Sequence, residues 1–496
     1  MLLSRLLADI QSIPSARDVD VKGLSLNSQH VKEGDLFIAL QGATCSGKRY
    51  IDEAIAHGAV AVLREDEVST YDQEPVPILA VPQLRQKLGS LAAYFYDYPA
   101  EKLQVIGVTG TSGKTSCTQF IAQCLEGVGQ RCGIVGTLGS GLYGALGEVG
   151  LTTPESIDLQ YLLSTFVRDG AKAAAVEVSS HGIDQGRVSG TSFEVGLFTN
   201  LSQDHLDYHG DMDTYASVKR RFFTDFPLKH RVINIDDAYG AAWIRTLAKP
   251  ALTYSTALST ADIYAHDILL TDKGVQATVC TPWGSDTLRL PLLGLFNLSN
   301  ALGVLGVLGA LGIPFKEVMR QLAQLKAVPG RMQAVGGEGH PLVIVDYAHK
   351  PDALEKVLQV LRSHTKGRLI CVFGCGGDRD RTKRPIMGSI AEALADLVIV
   401  TNDNPRHEKP EEIVKDIFQG FKKPEKIVIA LDRSRAICES IEAATEQDCI
   451  LIAGKGAEHY QQIGDEKFPF DDVEKAKEAL AVREIREKCR RNSIKS

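Results

Sequence analysis

The sequence lacks the cysteine and histidine patterns that mark zinc-bound or disulfide-linked proteins. Its ten cysteines include no C-x-x-C pair, and no H-E-x-x-H motif is present. Cys371 and Cys375 lie close together, but no further Cys or His beside them completes a zinc-binding set. We therefore predict reduced thiols in a cytoplasmic protein.

Strong positive charge and a membrane-spanning pattern are missing as well. The net charge of −7 argues against nucleic acid as a partner. Residues 290–315 form an uncharged apolar run, but this run contains two prolines, five glycines and two asparagines. We predict a buried helix and loop there, and no membrane partner. The sequence contains no repeat at a fixed period and no low-complexity segment.

A chain of 496 residues is longer than one hydrophobic core usually organises. Short apolar runs predict a small α/β domain over residues 1–99. Strand-then-helix units predict a central, doubly wound, mostly parallel sheet over residues 100–327. Buried-strand runs predict a C-terminal Rossmann-like sheet over residues 328–496, with polar residues after most strands. The predicted fold class is α/β with three domains and two binding sites at strand ends.

The stretch VTGTSGKTS, residues 108–116, resembles a phosphate-binding loop but departs from the strict G-x-x-x-x-G-K-[ST] pattern, because Val108 replaces the first glycine. Glycines let backbone N–H groups approach phosphate oxygens, and a following helix adds the positive end of its dipole. Lys114 suits the β- and γ-phosphates, and the Thr115 hydroxyl suits Mg²⁺. A plain glycine turn is the alternative. We predict nucleotide binding by Gly110, Thr111, Ser112, Gly113, Lys114, Thr115 and Ser116.

The loop and the motifs after it resemble those of the Mur ligases of bacterial cell-wall synthesis, whose loop is typically T-G-[TS]-[NS]-G-K-[TS]. The motifs occur in the family's order across all three predicted domains. They are TTPE (152–155), EVSSHG (177–182), TNLSQDHLDYHG (199–210), LLGLFNLSNALG (292–303), VPGRMQ (328–333), VDYAHKPDAL (345–354), FGCGGDRD (373–380), DNPR (403–406) and AGKGAEHY (453–460). The resemblance implies an enzyme that uses ATP and Mg²⁺ to add an amino acid to a UDP-N-acetylmuramoyl peptide through an acyl phosphate.

The resemblance implies catalytic roles for Lys114, Glu177, His205 and Lys219. It implies Mg²⁺ ligation by Thr115, Glu177, His205 and Lys219, with Lys219 modified to a carbamate (N6-carboxylysine). From the residues alone, Glu177 is a routine strand-end carboxylate and Lys219 is a surface lysine. His205 and His209 have the i,i+4 spacing of a helical zinc pair, but zinc usually needs a third protein ligand.

Two further sets of binding residues follow from the resemblance. ATP would contact Asn297, Asn300, Arg331 and Asp346. The UDP-sugar peptide would contact Leu26, Ser28, Thr152, Thr153, Ser179, Gln185 and Arg187. Helix capping or buried hydrogen bonding is the alternative for the two asparagines, and a turn or cap hydroxyl is the alternative for most of the peptide set. The loop at 42–47 departs from the commoner family pattern, which leaves the fine UDP-sugar contacts open.

The DNPR motif bears on the choice of amino acid. In the family this motif accompanies meso-2,6-diaminopimelate, which differs from L-lysine by one distal carboxylate. A planar guanidinium is the best cation for that carboxylate, because it donates two parallel hydrogen bonds. A surface Asn-Pro turn is the alternative. The resemblance implies a diaminopimelate site made of Arg379, Asp403, Asn404, Pro405, Arg406, Gly454 and Glu458.

We therefore expect a monomeric, ATP-dependent ligase that adds meso-diaminopimelate to UDP-N-acetylmuramoyl-L-alanyl-D-glutamate, with small molecules as its only partners. A lysine-adding Mur ligase is a close alternative. A folylpolyglutamate synthetase-like ligase is another, although it would not need the DNPR, TTP and SSH motifs. A nucleotide-gated binding protein is the alternative from a different class, but a pure switch needs no second metal site.

Overall fold

The computed structural model describes residues 1–10, 18–41, 46–68, 70–72, 75–147, 150–271, 273–337 and 339–495. Residues 42–45 of the loop at 42–47 thus lie outside the described residues. The chain forms two compact units. The first contains Met1–His266, Val279–Asp286 and Ser299–Leu322, and the second contains Asp267–Thr278, Thr287–Leu298 and Ala323–Ser496. Three successive α/β regions, each with its own sheet, confirm the predicted fold class, while the predicted domain limits stay predictions.

The N-terminal region builds a five-stranded sheet in the order β1-β2-β3-β5-β4. Its strands are β1 (Gly23–Ser25), β2 (Asp35–Ala39), β3 (Ala61–Glu65), β4 (Thr70–Asp72) and β5 (Ile78–Val81). Its helices are α1 (Leu3–Leu6), α2 (Ile51–Ala56) and α3 (Leu84–Phe95). The neighbouring strands run parallel except for the β4–β5 pair. Leu36 and Ile38, on one face of β2, pack with Leu84 and Leu88 of α3, which covers that face of the sheet.

The central region forms a sheet in the order β16-β15-β14-β13-β12-β11-β6-β10-β7-β8-β9. Its strands are β6 (Gln104–Thr109), β7 (Cys132–Gly136), β8 (Gly139–Leu142), β9 (Ala145–Leu146), β10 (Ala173–Glu177), β11 (Phe193–Phe198), β12 (Leu228–Asn234), β13 (Leu252–Ser255), β14 (Ile263–Thr271), β15 (Gly274–Thr281) and β16 (Gly284–Leu290). Its helices are α4 (Lys114–Gly127), α5 (Ser156–Arg168), α6 (Ser180–Asp184), α7 (Leu206–His209), α8 (Met212–Thr224), α9 (Ala238–Ile244), α10 (Leu295–Ala310) and α11 (Phe315–Leu322). Because β6 runs parallel to both β10 and β11, the carboxyl ends of these three strands meet at one edge.

The uncharged run at 290–315 contains α10, as the sequence predicts. Leu298, Ala301, Leu302 and Leu305 of this helix have no exposed side-chain area, so its apolar residues serve the interior. In the described part of the chain, no helix combines the length and the apolar character that crossing a bilayer requires.

The C-terminal region forms a six-stranded sheet in the order β17-β18-β22-β19-β20-β21 and a separate β23–β24 hairpin. The strands are β17 (Gln333–Gly336), β18 (Leu342–Asp346), β19 (Leu369–Phe373), β20 (Leu397–Val400), β21 (Val428–Ile429), β22 (Cys449–Ala453), β23 (Tyr460–Ile463) and β24 (Glu466–Pro469). The helices are α12 (Pro351–His364), α13 (Lys383–Leu394), α14 (Pro410–Phe418), α15 (Arg433–Ala443) and α16 (Asp472–Lys495). All neighbouring strands of the larger sheet except β17 and β18 run parallel, and β19 and β22 are buried throughout.

A buried ion pair joins the first residues of α15 and α16. Arg433 Nε and Nη2 donate to the two carboxylate oxygens of Asp472, each at 2.7 Å, and neither side chain is exposed. Arg433 also donates to the carbonyl of Ala453, the last residue of β22. The pair therefore fixes two helix starts against the end of β22, where the AGKGAEHY motif begins.

Replacing Asp472 with asparagine is expected to lower the free energy of unfolding by about 3–5 kcal/mol, because it leaves the Arg433 guanidinium buried without a counter-charge. Glu439→Gln is the matched control, since Glu439 pairs with Arg435 on the surface of the same helix α15. Such exposed pairs contribute about 1 kcal/mol or less. Urea denaturation measures both variants, and equal losses in the two would contradict the importance of the buried pair.

Candidate active site

The phosphate loop connects β6 to α4 in the first unit. Gly110 and Gly113 adopt φ values of 148° and 86°, where other residues are strained. A Cβ on Gly110 would collide with the Thr199 hydroxyl, and one on Gly113 would lie 2.7 Å from Asn300 Oδ1. Gly113 is the N-cap of α4 and provides no side-chain cap, an arrangement that suits the start of the helix to anion binding. The predicted strand–loop–helix geometry is confirmed.

Two lysine side chains meet at the carbonyl of Gly110. Lys114 Nζ donates to this oxygen at 2.9 Å and to Thr111 O at 3.0 Å, and Lys219 Nζ donates to Gly110 O at 3.0 Å. Lys219, on α8, is only 1% exposed and lies over the Tyr215 ring. Burial, with a smaller contribution from the positive charge of Lys114, holds the pKa of Lys219 well below its usual range. The surface position considered for Lys219 is therefore wrong.

Glu177, the last residue of β10, has a buried carboxylate held by two threonines. Thr115 Oγ1 donates to Glu177 Oε2 at 3.0 Å. Thr137 donates through its N–H to Oε1 at 2.8 Å and through its hydroxyl to Oε2 at 3.1 Å. The Thr137 and Thr152 hydroxyl oxygens are 3.1 Å apart, so the predicted Thr115, Thr152 and Glu177 lie in one network. Thr137 was not among the predicted residues, although it directly follows β7 and so lies at a strand end, as the predicted residues do.

His205 lies just before α7 with a left-handed backbone φ of 55°. Its Nε2 is 3.4 Å from Asp204 Oδ2, and its ring packs edge-on against His181 at a centroid distance of 4.8 Å. His209 Nε2 lies 3.0 Å from the Ser180 hydroxyl, and the rings of His205 and His209 both pack against His181 and Tyr215. In the residues that the structure describes, no group of three or more His, Cys, Asp or Glu side chains could hold a metal ion by itself.

Three neighbours hold Arg187 in place. Its Nη1 donates to Thr153 O at 3.0 Å and its Nη2 to Gln185 Oε1 at 2.5 Å. Its Nε is 3.1 Å from Glu155 Oε1, close enough for an ion pair. The structure thus brings together the predicted Thr153, Gln185 and Arg187 and adds Glu155. An anionic ligand of Arg187 would have to share the guanidinium with Glu155.

The two predicted serines already have partners in the protein. Ser179 Oγ accepts a hydrogen bond from Gly182 N at 3.0 Å and caps α6, which confirms the helix-cap alternative for Ser179. Ser28 Oγ donates to Glu53 Oε2 at 2.6 Å. Leu26 and Ser28 both line one surface cavity in the N-terminal region. A ligand in that cavity would meet a hydroxyl whose orientation Glu53 sets.

The two predicted asparagines lie on α10 and are both buried. Asn300 Oδ1 is 3.5 Å from Cys117 Sγ in the first unit, and Asn297 Nδ2 donates to Leu293 O at 2.9 Å in the second. Buried hydrogen bonding, one alternative considered for them, is confirmed. Asn300 also lies against Gly113, which places its amide beside the phosphate loop.

Asp346 and Arg331 come together in the second unit. The Asp346 carboxylate accepts hydrogen bonds from Met332 N at 2.7 Å and from Ala348 N at 2.8 Å. Burial raises the pKa of Asp346, and the positive charge of Arg331 opposes that shift. The Arg331 guanidinium lies over the Tyr347 ring at 4.6 Å. Asp346 therefore holds the backbone at Met332, the residue next to Arg331.

Arg406 of the DNPR motif has a left-handed backbone φ of 50°, so the backbone conformation as well as Pro405 sets its direction. Its Nη1 donates to Gly377 O at 2.8 Å. A Cβ on Gly376 would lie 2.8 Å from Arg406 Nη1 and 3.7 Å from Arg379 Cγ. The two predicted arginines therefore approach the same glycine loop.

Three more predicted residues of the amino-acid site, Asp403, Asn404 and Glu458, are joined by hydrogen bonds. Asn404 Nδ2 donates to Glu458 Oε2 at 2.8 Å, and Asn404 N donates to Asp403 Oδ1 at 2.8 Å. A Cβ on Gly454 would lie 2.5 Å from Asp403 Oδ2, so this glycine leaves room for the carboxylate. Lys455 Nζ donates to Asn404 Oδ1 at 2.9 Å and was missed, although it stands between two glycines of the AGKGAEHY motif.

Arg384 of α13 was also missed, and it joins the glycine loop to the segment after DNPR. Its fully buried guanidinium donates to Glu408 at 2.8 and 2.9 Å, to Asp416 at 2.8 Å and to Gly376 O at 3.2 Å. Only contacts in three dimensions reveal this role, because nothing in the local sequence distinguishes Arg384 from a surface arginine.

The Arg384–Glu408 pair predicts acid sensitivity. Hydrogen bonds from Arg384 lower the pKa of Glu408 from 4.5 to about 2. A lowered folded-state pKa means that the ionised carboxylate stabilises the fold fully above the unfolded-state value, and that this stabilisation is lost as the pH falls from 4.5 to about 2. We expect the urea midpoint to fall more steeply across this range in the parent protein than in Glu408→Gln. Parallel pH dependences in the two proteins would contradict this assignment.

The fold and these two groups of residues define a class: an α/β phosphate-loop enzyme with a second polar site at the carboxyl ends of another parallel sheet. Residues 20–96 match the Mur ligase family catalytic domain, residues 108–308 the Mur ligase middle domain, and residues 330–456 the Mur ligase glutamate ligase domain. The chain belongs to the Mur ligase family, which confirms the resemblance found in its motifs.

Full-length relatives support the same assignment. The chain is 48% identical to the UDP-N-acetylmuramoyl-L-alanyl-D-glutamate–2,6-diaminopimelate ligase of Pseudomonas aeruginosa, over 96% of this chain and 98% of that protein. It is 47% identical to the ligase of the same name from Coxiella burnetii, over 96% of this chain and 99% of that protein. A solved structure of a ligase of this name is 36% identical, with a TM-score of 0.71, covering 98% of this chain and 100% of the other.

A folylpolyglutamate synthase of Mycobacterium tuberculosis, solved with ADP and AMPPCP, shares the fold. It is 18% identical with a TM-score of 0.60, and the match covers 74% of this chain and 92% of the other. The likeness to this rival enzyme is therefore weaker in sequence and in coverage than the likeness to the diaminopimelate ligases.

Proposed function

We propose that this chain is the ATP-dependent ligase that adds meso-2,6-diaminopimelate to UDP-N-acetylmuramoyl-L-alanyl-D-glutamate during synthesis of the peptidoglycan precursor. One observation carries the choice of amino acid: Arg406 and the Asn404–Glu458 group lie in one hydrogen-bonded loop system. Arg406 N donates to Gln462 O at 3.1 Å, and Gln462 N donates to Asn404 Oδ1 at 2.9 Å. A guanidinium and a carboxylate held in this way match the carboxylate and the ammonium at the distal carbon of diaminopimelate.

The reaction joins a carboxylate to an amine. The D-glutamate carboxylate attacks the γ-phosphorus of ATP, ADP leaves, and an acyl phosphate forms. The diaminopimelate amine then attacks the acyl carbon, loses a proton, and the tetrahedral intermediate expels inorganic phosphate as the amide forms. The enzyme's task is to hold several anionic groups in line.

In this scheme the phosphate loop binds the nucleotide. The N–H groups at the start of α4 contact the phosphates, and Lys114 exchanges its bonds to Gly110 O and Thr111 O for bonds to phosphate oxygens. Asn300, which lies against Gly113, contacts the nucleotide side of the loop. Asn297, Arg331 and Asp346 complete the proposed ATP-binding set.

The donor set around Glu177 fits Mg²⁺. The Thr115 hydroxyl and the Glu177 carboxylate are hard oxygen ligands in direct contact, and Mg²⁺ typically takes one or two protein carboxylates together with substrate phosphates and water. When bound, Mg²⁺ would neutralise negative charge on the transferring phosphoryl group. We assign Thr115, Glu177 and His205 as its protein ligands, with Lys219 as a carbamate.

Lys219 fits carbamate formation for a physical reason. Its amine is buried, and burial lowers the pKa of Lys219 well below its usual range, which favours the neutral, nucleophilic form over that of an exposed lysine. The neutral nitrogen attacks the carbon of CO₂, a proton leaves the nitrogen, and the product carries a carboxylate. Carbamate formation thus converts an amine whose charged form is disfavoured by burial into a carboxylate that can bind a cation.

The acceptor is proposed to lie along Leu26, Ser28, Thr152, Thr153, Ser179, Gln185 and Arg187. Arg187 would bind an acidic group of the peptide or the diphosphate, sharing its guanidinium with Glu155. We also propose that the enzyme works in the cytoplasm, where ATP and UDP-sugars are abundant. The expectation of a monomer stays a prediction.

Phosphate release by the purified protein tests the proposal. The protein is mixed with ATP, Mg²⁺ and UDP-N-acetylmuramoyl-L-alanyl-D-glutamate, and release is recorded with and without meso-diaminopimelate. Release that depends on diaminopimelate is the expected result. Release with L-lysine alone would support the lysine-adding alternative, and release only with glutamate and a folate acceptor would support the folylpolyglutamate alternative. ATP binding without any amine-dependent release would indicate a nucleotide-gated binding protein.

A further inference from the structure

Lys455 is a buried cation in the middle of the proposed amino-acid site. Its side chain has no exposed area, and Gly454 and Gly456 on either side of it adopt φ values of 119° and 54°. These left-handed conformations suit glycine and turn the chain so that the lysine points inward. Its Nζ donates to Asn404 Oδ1 at 2.9 Å and to Glu458 Oε2 at 3.2 Å.

This ammonium determines which way the Asn404 amide faces. Lysine can only donate hydrogen bonds, so the atom that Lys455 contacts must be the amide oxygen. Gln462 N donates to the same oxygen at 2.9 Å, which gives an independent reason for this orientation. The amide nitrogen therefore points to Glu458 Oε2, at 2.8 Å.

The same contacts orient the Glu458 carboxylate. Lys455 and Asn404 both donate to Oε2, so the Oε1 atom points away from this pair of donors. The Glu458 side chain is 25% exposed, whereas Lys455 has no exposed area. Lys455 is thus on the protein side of Glu458, and a ligand can approach the carboxylate from the other side.

We propose that Lys455 is a positioning residue for the incoming amino acid, a role that rests on the proposed function. It holds the Glu458 carboxylate, directly and through the Asn404 amide, in the orientation that receives the distal ammonium group. Lys455 does not touch the reacting atoms. Its loss should therefore weaken binding of diaminopimelate without affecting activation of the acceptor by ATP.

Lys455→Met, which removes the ammonium group and keeps an unbranched side chain of similar length, is expected to raise the KM for diaminopimelate on the order of tenfold to hundredfold. Turnover at saturating diaminopimelate should stay within about threefold, since positioning affects binding of the amino acid rather than its reaction. The KM values for ATP and for the UDP-sugar dipeptide should not change. Steady-state kinetics with each substrate varied in turn measures this split.

Trapping of the acyl phosphate distinguishes a positioning role from general misfolding, because misfolding would lower the rate of trapping. Hydroxylamine attacks the acyl carbon, forms a hydroxamate and displaces phosphate, and it needs no amino-acid site. Hydroxamate formation should proceed equally fast in Lys455→Met and in the parent protein. A parallel loss of hydroxamate formation would show a structural defect and overturn the proposed role.

Lys467→Met is the matched control, because Lys467 also lies over the Tyr460 ring but is exposed. It should leave the KM for diaminopimelate unchanged. If Lys455→Met does not fold, Lys455→Gln keeps a donor for Asn404 and loses the charge, and should raise that KM at least about threefold. An unchanged KM for diaminopimelate in the folded variant would overturn the inference. If the parent protein shows no diaminopimelate-dependent release, the proposed function itself fails.

Discussion

Lys219→Met is expected to lower ligase turnover by about 10³-fold, the cost of removing one group that stabilises charge at a transferring phosphoryl group. Its free energy of unfolding should be equal to that of the parent protein or higher. The reason is that Lys219 is 1% exposed and its burial disfavours the charged amine, whereas a methionine of similar length has no charge to desolvate. Lys219 is thus expected to raise ligase turnover while it lowers the free energy of unfolding.

Arg221→Met is the control for Lys219→Met, since Arg221 lies on the same helix α8 and pairs with Asp184 and Asp225 at the surface. It should change turnover by less than about threefold, because exposed pairs contribute little. Incubation of the protein with ¹³C-labelled bicarbonate should give a ¹³C carbamate signal in the parent protein. The Lys219→Met variant should lack this signal. Turnover retained in Lys219→Met would contradict the role assigned to the buried amine.

Arg406→Ala is expected to lower kcat/KM for diaminopimelate by roughly two to three powers of ten, which corresponds to ~3–4 kcal/mol for an unpaired distal carboxylate. The kcat/KM for L-lysine, which has no distal carboxylate, should change much less. The preference for diaminopimelate over lysine would then shrink or disappear. Competition kinetics with both amino acids measures the preference directly.

Two further variants make the Arg406 experiment specific. Arg406→Lys keeps the charge but loses the planar fork, so it should recover only part of the preference. Arg435→Ala removes an arginine from the surface pair with Glu439 and should leave both kcat/KM values unchanged. An unchanged preference in Arg406→Ala would show that another group recognises the distal carboxylate.

The sequence predicted those features that short segments encode. The phosphate loop needed only a strand, glycines and a helix start in order, and the structure has Thr109, Gly113 and Lys114 in those positions. Buried strands followed by polar residues likewise predicted the two sheet edges at which the candidate sites lie. In these cases the local pattern and the tertiary structure agree because parallel strands bring their carboxyl ends to one edge.

The sequence could not predict features that depend on distant partners. Lys219 looked like a surface lysine, because its burial depends on where α8 packs against the phosphate loop. Lys455 and Arg384 were missed for the same reason, since their partners Asn404 and Glu408 come from other segments of the chain. For Thr137, the position at a strand end could be predicted from the sequence, but the contact with Glu177 could not.

The identity of the ligated product is the most direct test of the central claim. The parent protein is given ATP, Mg²⁺, UDP-N-acetylmuramoyl-L-alanyl-D-glutamate and an equimolar mixture of meso-diaminopimelate and L-lysine, and the products are resolved by mass spectrometry. We expect the UDP-linked tripeptide that ends in diaminopimelate, formed in step with ADP and phosphate. A product that ends in lysine, or ATP hydrolysis without any tripeptide, would contradict the account.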